Sequence, residues 1–159
     1  NYTFNTPLNN KYENSIIKTI QIDHIVITTA GIFIIETKNW STQSINNKEL
    51  KSPVTQINNL KYALSILLNK SIQLKWSVNN QHWGNQKTPI RNIIVLINQK
   101  PEEKFNYVKI CSLNELNAYI EWFNTENQKV IYTQSQVEKI ANYLLKINNL
   151  KTVNSKLKN

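Results

Sequence analysis

Hydrophobic and β-branched residues cluster in two neighbouring stretches in the first third of the chain. Residues 15 to 28 and residues 32 to 38 are rich in Ile, Val and Thr, a composition typical of strands. Between them, Thr29, Ala30 and Gly31 predict a tight turn with Ala30 and Gly31 at its centre, because glycine adopts backbone conformations that other residues avoid. We therefore predict an antiparallel hairpin.

Three helices are predicted from apolar residues that recur at helical spacing. The first covers residues 53 to 69 and begins at Pro53, a residue favoured at the first helical position. The second opens at Ser112 with a Ser-x-x-Glu capping box and continues to Phe123. The third covers residues 135 to 148 and places its apolar residues on one face. Each helix thus has a face that can cover a sheet.

The remaining segments complete an alternating order of strands and helices. Residues 90 to 97 and 107 to 111 are predicted strands, whereas residues 71 to 89 show no clear period and are predicted as a loop with one short strand. Residues 151 to 159 are predicted to form a basic C-terminal tail. This order predicts an α/β fold in a single domain over residues 1 to 150.

The size and composition of the chain indicate one ordinary domain. A chain of 159 residues can bury a core without disulfides or a structural metal. Its apolar runs are interrupted well short of the roughly 18 residues that a membrane span needs. Cys111 is the only cysteine, which excludes an intrachain disulfide and predicts a reducing, cytoplasmic compartment. The lack of Met in a chain that starts at Asn1 predicts that an N-terminal segment is missing.

The net charge of +9 favours a polyanionic partner such as nucleic acid. Arg91 is the only arginine, so the excess is carried by lysine, which suits phosphate contacts better than base-edge contacts. We expect DNA, with RNA as the alternative, bound with little sequence specificity. The helix over residues 135 to 148 carries few cations and does not favour a membrane surface. An A+T-rich genome is an alternative source of the lysine excess.

Six lysines lie around the predicted hairpin and its first helix. They either follow a phosphate backbone or form a solvated face, and both interpretations stay open at this stage. They are Lys48, Lys51, Lys61, Lys70, Lys75 and Lys87.

The only aspartate of the chain, Asp23, lies in an unusual place. Aspartate is typical of turns and helix caps, whereas Asp23 stands within a β-branched run. A turn centred on the Ala-Gly pair places Asp23 opposite Lys38 and Ile25 opposite Glu36. Because side chains alternate between faces, Asp23, Glu36 and Lys38 are predicted on one face at one end of the hairpin, with His24 on the other.

These three charged residues suggest metal-dependent chemistry. Two carboxylates in an apolar hairpin repel each other unless a cation lies between them, and a hard divalent ion such as Mg²⁺ suits carboxylate oxygens. A lysine beside the ion can orient a water or neutralise charge that develops on a phosphate. This arrangement favours metal-assisted phosphodiester hydrolysis. The alternative is a cross-strand pair of surface charges, which is common in hairpins.

The motif Asp-x12-Glu-x-Lys, formed by Asp23, Glu36 and Lys38, closely resembles the motif of the nuclease-related domain (NERD). This family is a branch of the PD-(D/E)xK nuclease superfamily. The Ser-Pro-Val-Thr-Gln sequence of residues 52 to 56 is similar to the family's Asn-Pro-x-x-Gln helix start. Residues 89 to 96 resemble its following core strand.

The resemblance implies a restriction-endonuclease-like core, in which a mixed central sheet is flanked by helices. It also implies a Mg²⁺- or Mn²⁺-dependent nuclease that acts on DNA. Its site would use Asp23 and Glu36 as metal ligands, the Thr37 carbonyl as a third ligand, Lys38 as the catalytic lysine and Gln56 as a partner from the helix.

Two features depart from the family pattern over the similar region, residues 5 to 124. Members usually begin with a helix that supplies a Glu to the metal site, whereas Glu13 is the only acid before Asp23. Members also tend to carry a Gly-containing segment after the Glu-x-Lys strand, and residues 41 to 51 contain no Gly. The alternative function is therefore a catalytically inactive nuclease-fold module that binds nucleic acid or another protein.

Overall fold

The computed structural model describes residues 2–10, 15–39, 51–71, 89–97, 106–125 and 130–156. Within these residues the chain forms six strands and three helices. The strands are β1 (Tyr2–Asn10), β2 (Ser15–Ile22), β3 (His24–Thr28), β4 (Gly31–Lys38), β5 (Ile90–Leu96) and β6 (Val108–Ser112). The helices are α1 (Lys51–Lys70), α2 (Leu113–Asn124) and α3 (Gln134–Lys156).

The described strands form two sheets. β1 and β2 are an antiparallel pair, and the main sheet has the strand order β3-β4-β5-β6. In the main sheet β3 runs antiparallel to β4, whereas β4, β5 and β6 are parallel to one another. Parallel neighbours require a long crossover, and α1 lies between β4 and β5 in the chain. The predicted α/β fold with a mixed central sheet flanked by helices is confirmed.

Both faces of the main sheet are covered, which explains the continuous apolar sequence of its central strands. On one face Ile32 and Ile34 belong to a core shared with α1, α3 and the β1–β2 pair. On the other face Phe33 and Ile35 pack with side chains of α2. β4 is therefore buried on both sides, and it fixes the position of the residues at its carboxyl end.

The prediction of one strand over residues 15 to 28 is wrong at a single residue. The chain bends at Asp23, which divides the run into β2 and β3. β2 pairs with β1 outside the main sheet, and β3 pairs with β4 inside it. The bend is stabilised because the Asp23 carboxylate accepts hydrogen bonds from Thr37 on the neighbouring strand.

The hairpin itself is confirmed, but its predicted register is wrong. The two turn residues are Thr29 and Ala30, so that Gly31 is already the first residue of β4. The predicted pairing of Asp23 with Lys38 is therefore shifted by two residues. A shift of two residues leaves every side chain on its predicted face, because the side-chain period of a strand is also two.

Contacts from distant parts of the chain hold the turn in this position. The Thr29 carbonyl accepts hydrogen bonds from the backbone N–H groups of Ile131 and Tyr132, at 2.7 and 2.9 Å. The Ala30 carbonyl accepts one from Nη1 of Arg91 at 2.7 Å. These partners lie about 60 and 100 residues away along the chain, which is why local turn preferences alone do not identify the turn.

The predicted helices and the two later strands are present, and α1, α2, β5 and β6 differ from the predicted bounds by at most two residues at either end. α2 begins with the predicted capping box, in which the Ser112 N–H donates to Oε2 of Glu115 at 2.8 Å. α3 continues to Lys156, beyond the predicted end and into the predicted tail. Of the loop predicted over residues 71 to 89, all but the first and last residue lie outside the described part of the chain.

Candidate active site

Glu36 is a buried carboxylate near the carboxyl end of β4. Glu36 is 4% exposed, and its Oε1 accepts two hydrogen bonds. Lys38 Nζ donates one at 2.7 Å, which makes an ion pair within the strand. Gln56 Nε2, from the first turns of α1, donates the other at 3.4 Å. Residues two apart on a strand share a face, so the Glu-x-Lys spacing itself produces this ion pair.

Asp23 occupies the bend next to this end of β4. Its Oδ2 accepts hydrogen bonds from both the backbone N–H and the Oγ1 hydroxyl of Thr37, each at 3.2 Å. β3 starts one residue later, and its register pairs Ile25 with Ile34 rather than with Glu36 as predicted. If the β3–β4 register is continued by one residue before His24, Asp23 lies opposite Glu36.

The backbone of Thr37 points toward Asp23. The Lys38 carbonyl accepts a hydrogen bond from the N–H of Ile97, on the β5 side of β4. Backbone groups of successive strand residues point to opposite sides, so the N–H and carbonyl of Thr37 point to the β3 side. β3 begins at His24, which pairs with Ile35, so no residue of β3 pairs with Thr37. The Asp23 carboxylate accepts the hydrogen bond from the Thr37 N–H instead.

Each carboxylate accepts hydrogen bonds from the described residues through only one of its two oxygens. The hydrogen bonds of Asp23 end on Oδ2, and those of Glu36 end on Oε1. The second oxygen of each, Oδ1 of Asp23 and Oε2 of Glu36, has no hydrogen bond to the described residues. Carboxylate and backbone carbonyl oxygens are ligands of the kind that hard cations prefer.

Two carboxylates, those of Asp23 and Glu36, lie at this end of the hairpin in the described part of the chain. Among the described residues there is no group of three or more His, Cys, Asp or Glu that could hold a metal. Mg²⁺ is commonly held by one or two carboxylates and completes its shell with water, whereas structural Zn²⁺ takes four protein ligands. His24 is exposed at the start of β3, on the face opposite the predicted site. Glu13 lies outside the described residues.

Comparison with known families gives an independent result on this region. The profile described as "Nuclease-related domain" matches residues 4–97, more than half of the chain. The chain belongs to the nuclease-related domain family. The match contains the complete hairpin, α1 and β5. A search of curated proteins and a search of solved structures found no significant match.

The structure of this nuclease-related domain brings some of the predicted residues into direct contact. Glu36, Lys38 and Gln56 form one hydrogen-bonded group, and Asp23 and Thr37 form a second group. Because Glu36, Thr37 and Lys38 are consecutive in β4, the two groups are adjacent. The roles of these five residues as ligands or catalytic groups stay predictions.

A polar link between α1 and the sheet was not predicted from the sequence. Asn92 of β5 is 2% exposed, and its Nδ2 donates to Oδ1 of Asn58 at 2.9 Å. Asn58 lies two residues after Gln56, so α1 contacts the sheet through polar side chains at two neighbouring points. A polar residue inside the apolar run of β5 was the available signal.

None of the helices in the described part of this nuclease-related domain is long and apolar enough to cross a bilayer.

Proposed function

We propose that this nuclease-related domain hydrolyses phosphodiester bonds of DNA with Mg²⁺ or Mn²⁺. Asp23 and Glu36 would bind the ion, with the Thr37 carbonyl as a third ligand. The observation that carries the proposal is that each carboxylate is fixed through one oxygen while its second oxygen makes no hydrogen bond to the described residues. Fixing a ligand before the ion arrives reduces the ordering cost of binding.

The bound ion supplies positive charge against the phosphoryl group and makes water at the site more acidic. Thr37 orients the Asp23 carboxylate, and Gln56 orients the Glu36 carboxylate from α1. The Lys38 side chain is 24% exposed, so its ammonium group can contact substrate while it remains beside Glu36. There it stabilises negative charge that develops on the phosphate or donates a hydrogen bond to the attacking water.

DNA is the proposed substrate, and RNA is the alternative within the same chemistry. The net charge of +9 supports a polyanionic substrate, and a single arginine among the cations supports low sequence specificity. The proposed location is the cytoplasm, consistent with the single, buried cysteine.

A catalytically inactive binding module is the second candidate function. The observation that favours it is the short ion pair between Lys38 and Glu36, which already neutralises the buried carboxylate. In this alternative the hairpin charges are an inherited structural element, and the basic surface binds nucleic acid or another protein without hydrolysis.

The two candidates differ in a cleavage experiment with labelled single- and double-stranded DNA. We expect the full-length protein to cleave DNA with Mg²⁺ or Mn²⁺ and to lose about 100-fold or more of this rate in both Asp23→Ala and Lys38→Ala. Lys146→Ala, an exposed lysine of α3, is the matched control and should retain the rate. A wild-type protein that binds DNA without cleaving it, with binding unchanged in Asp23→Ala, would support the binding module instead.

A further inference from the structure

A second cleft lies at the amino ends of β5 and β6, away from the carboxylates at the opposite end of β4. Its volume is about 390 Å³. Among the described residues that line it, the charged side chains are all cationic: Lys61 from α1, Arg91 from β5 and Lys109 from β6. Three cations without a carboxylate in the described lining are a potential site for an anion.

The positive charges of Lys61 and Arg91 repel each other in the free protein. Burial lowers the pKa of Lys61, and the nearby positive charge of Arg91 lowers it further. A lysine in such a position disfavours its own charged form unless an anion offsets the repulsion. Arg91 also holds the hairpin turn through the Ala30 carbonyl, whereas Lys61 would be stabilised by an anion bound in the basic cleft.

Aromatic rings lie beside these charges. Tyr107 lines the basic cleft, is 86% exposed and has a backbone φ of 65°, a conformation that bulky residues rarely adopt. Tyr119 and Phe123 of α2 also line it, and Lys109 Nζ lies 5.0 Å from the centre of the Tyr119 ring. Tyr107 is the exposed ring of the three, and an exposed ring next to cations is a surface on which an unpaired base stacks while phosphates are neutralised.

We propose that the basic cleft binds a nucleotide unit of a single strand of nucleic acid. Phosphate would contact Lys61, Arg91 and Lys109, and an unpaired base would stack on the exposed ring of Tyr107. This inference extends the proposed function, on which it rests for the identity of the strand. A base paired in a duplex is stacked on its neighbours, which is why a single strand fits the exposed Tyr107.

The basic cleft and the candidate active site are close enough for one strand to reach both. Gln56 contacts Glu36, and Lys61 lines the cleft five residues later on α1, about 8 Å along the helix axis. Arg91 pairs with Phe33, three residues before Glu36, which corresponds to about 10 Å along the strand. The basic cleft would therefore hold the strand a few nucleotides from the bond to be cleaved.

The test measures binding of a fluorescent twelve-nucleotide thymidine oligomer by anisotropy, in EDTA so that hydrolysis does not occur. The cleft variant is Lys61→Gln with Lys109→Gln. The matched control is Lys139→Gln with Lys146→Gln on α3, which removes the same charge from exposed positions. We expect the cleft variant to bind at least about tenfold more weakly and to lower the salt dependence by about 1.4 in log–log slope. The control should bind within about twofold of wild type.

A second pair of variants separates stacking from charge. Tyr107→Ala is expected to weaken binding by about fivefold or more, whereas Tyr107→Phe keeps the ring and should bind like wild type.

Thermal unfolding of the cleft variant at or above the wild-type midpoint would agree with the repulsion described for Lys61 and would exclude a folding defect.

The outcomes distinguish this inference from the proposed function. Equal affinity of the cleft and control variants would overturn the inference, whether or not the protein cleaves DNA. Weakened binding in the cleft variant of a protein that never cleaves would retain the basic cleft and overturn the nuclease proposal. Equally tight binding of a mononucleotide or of inorganic phosphate would identify a small-anion site and also overturn the inference.

Discussion

Glu36→Gln is expected to reduce the Mg²⁺-dependent cleavage rate by about 1000-fold or more. The substitution keeps the size of the side chain but removes the negative charge that both Lys38 and the proposed ion require. Cleavage of labelled DNA under single-turnover conditions measures the effect, and Glu138→Gln on the exposed part of α3 is the matched control.

The same variant is expected to remain folded. Glu36 is almost fully buried, and a buried carboxylate loses solvation that its ion pair only partly restores. Its neutral isostere avoids that loss, while the partly exposed Lys38 can regain water. We expect the free energy of unfolding to stay within about 1 kcal/mol of wild type. A folded Glu36→Gln protein that cleaves at the wild-type rate would show that Glu36 is not part of the catalytic site.

Gly31→Ala is expected to lower the free energy of unfolding by about 2–4 kcal/mol. Gly31 has a φ of 132°, a region that residues with a Cβ rarely adopt. A Cβ built at this position lies 2.5 Å from Nη1 of Arg91 and 3.1 Å from the Pro89 carbonyl oxygen. The guanidinium cannot move freely, because it donates to the Ala30 carbonyl and lies 4.1 Å from the centre of the Phe123 ring.

Urea unfolding of a double-mutant cycle separates the two causes. In an Arg91→Ala background the clash with Nη1 is absent, so Gly31→Ala should cost less than in wild type and retain the backbone contribution and the close contact with the Pro89 carbonyl oxygen. An Ala substitution that leaves the urea midpoint unchanged in wild type would contradict the turn geometry described for this hairpin.

Most elements of the fold can be predicted from local sequence patterns, because each of these patterns reflects interactions between residues close together in the chain. The two-residue period of a strand places Glu36 and Lys38 on one face, and the ion pair follows from it. The capping box at Ser112 is formed by residues three apart, so its sequence defines the helix start.

Features that depend on distant residues could not be derived in the same way. The turn position is set by Arg91 and by backbone groups of Ile131 and Tyr132, which no local propensity contains. The bend at Asp23 interrupts a run whose composition is uniformly strand-like. It exists because the carboxylate accepts hydrogen bonds from Thr37, fourteen residues later.

The same limit applies to the basic cleft, the proposed site for a single strand. Lys61, Tyr107 and Tyr119 come from three segments, and only the packing of α1 and α2 on opposite faces of the sheet brings them together. In the sequence Lys61 is one of several lysines near the hairpin, with nothing local to distinguish it from a solvated residue.

The most direct test of the central claim, that the end of the hairpin binds a divalent ion, is a Mn²⁺ titration followed by electron paramagnetic resonance. We expect one Mn²⁺ per wild-type chain, displaced by Mg²⁺, with affinity reduced at least about tenfold in both Asp23→Asn and Glu36→Gln. The Glu138→Gln control should bind like wild type. Wild-type affinity in both hairpin variants, or no bound Mn²⁺ in the wild-type protein, would show that this end of the hairpin is not a metal site.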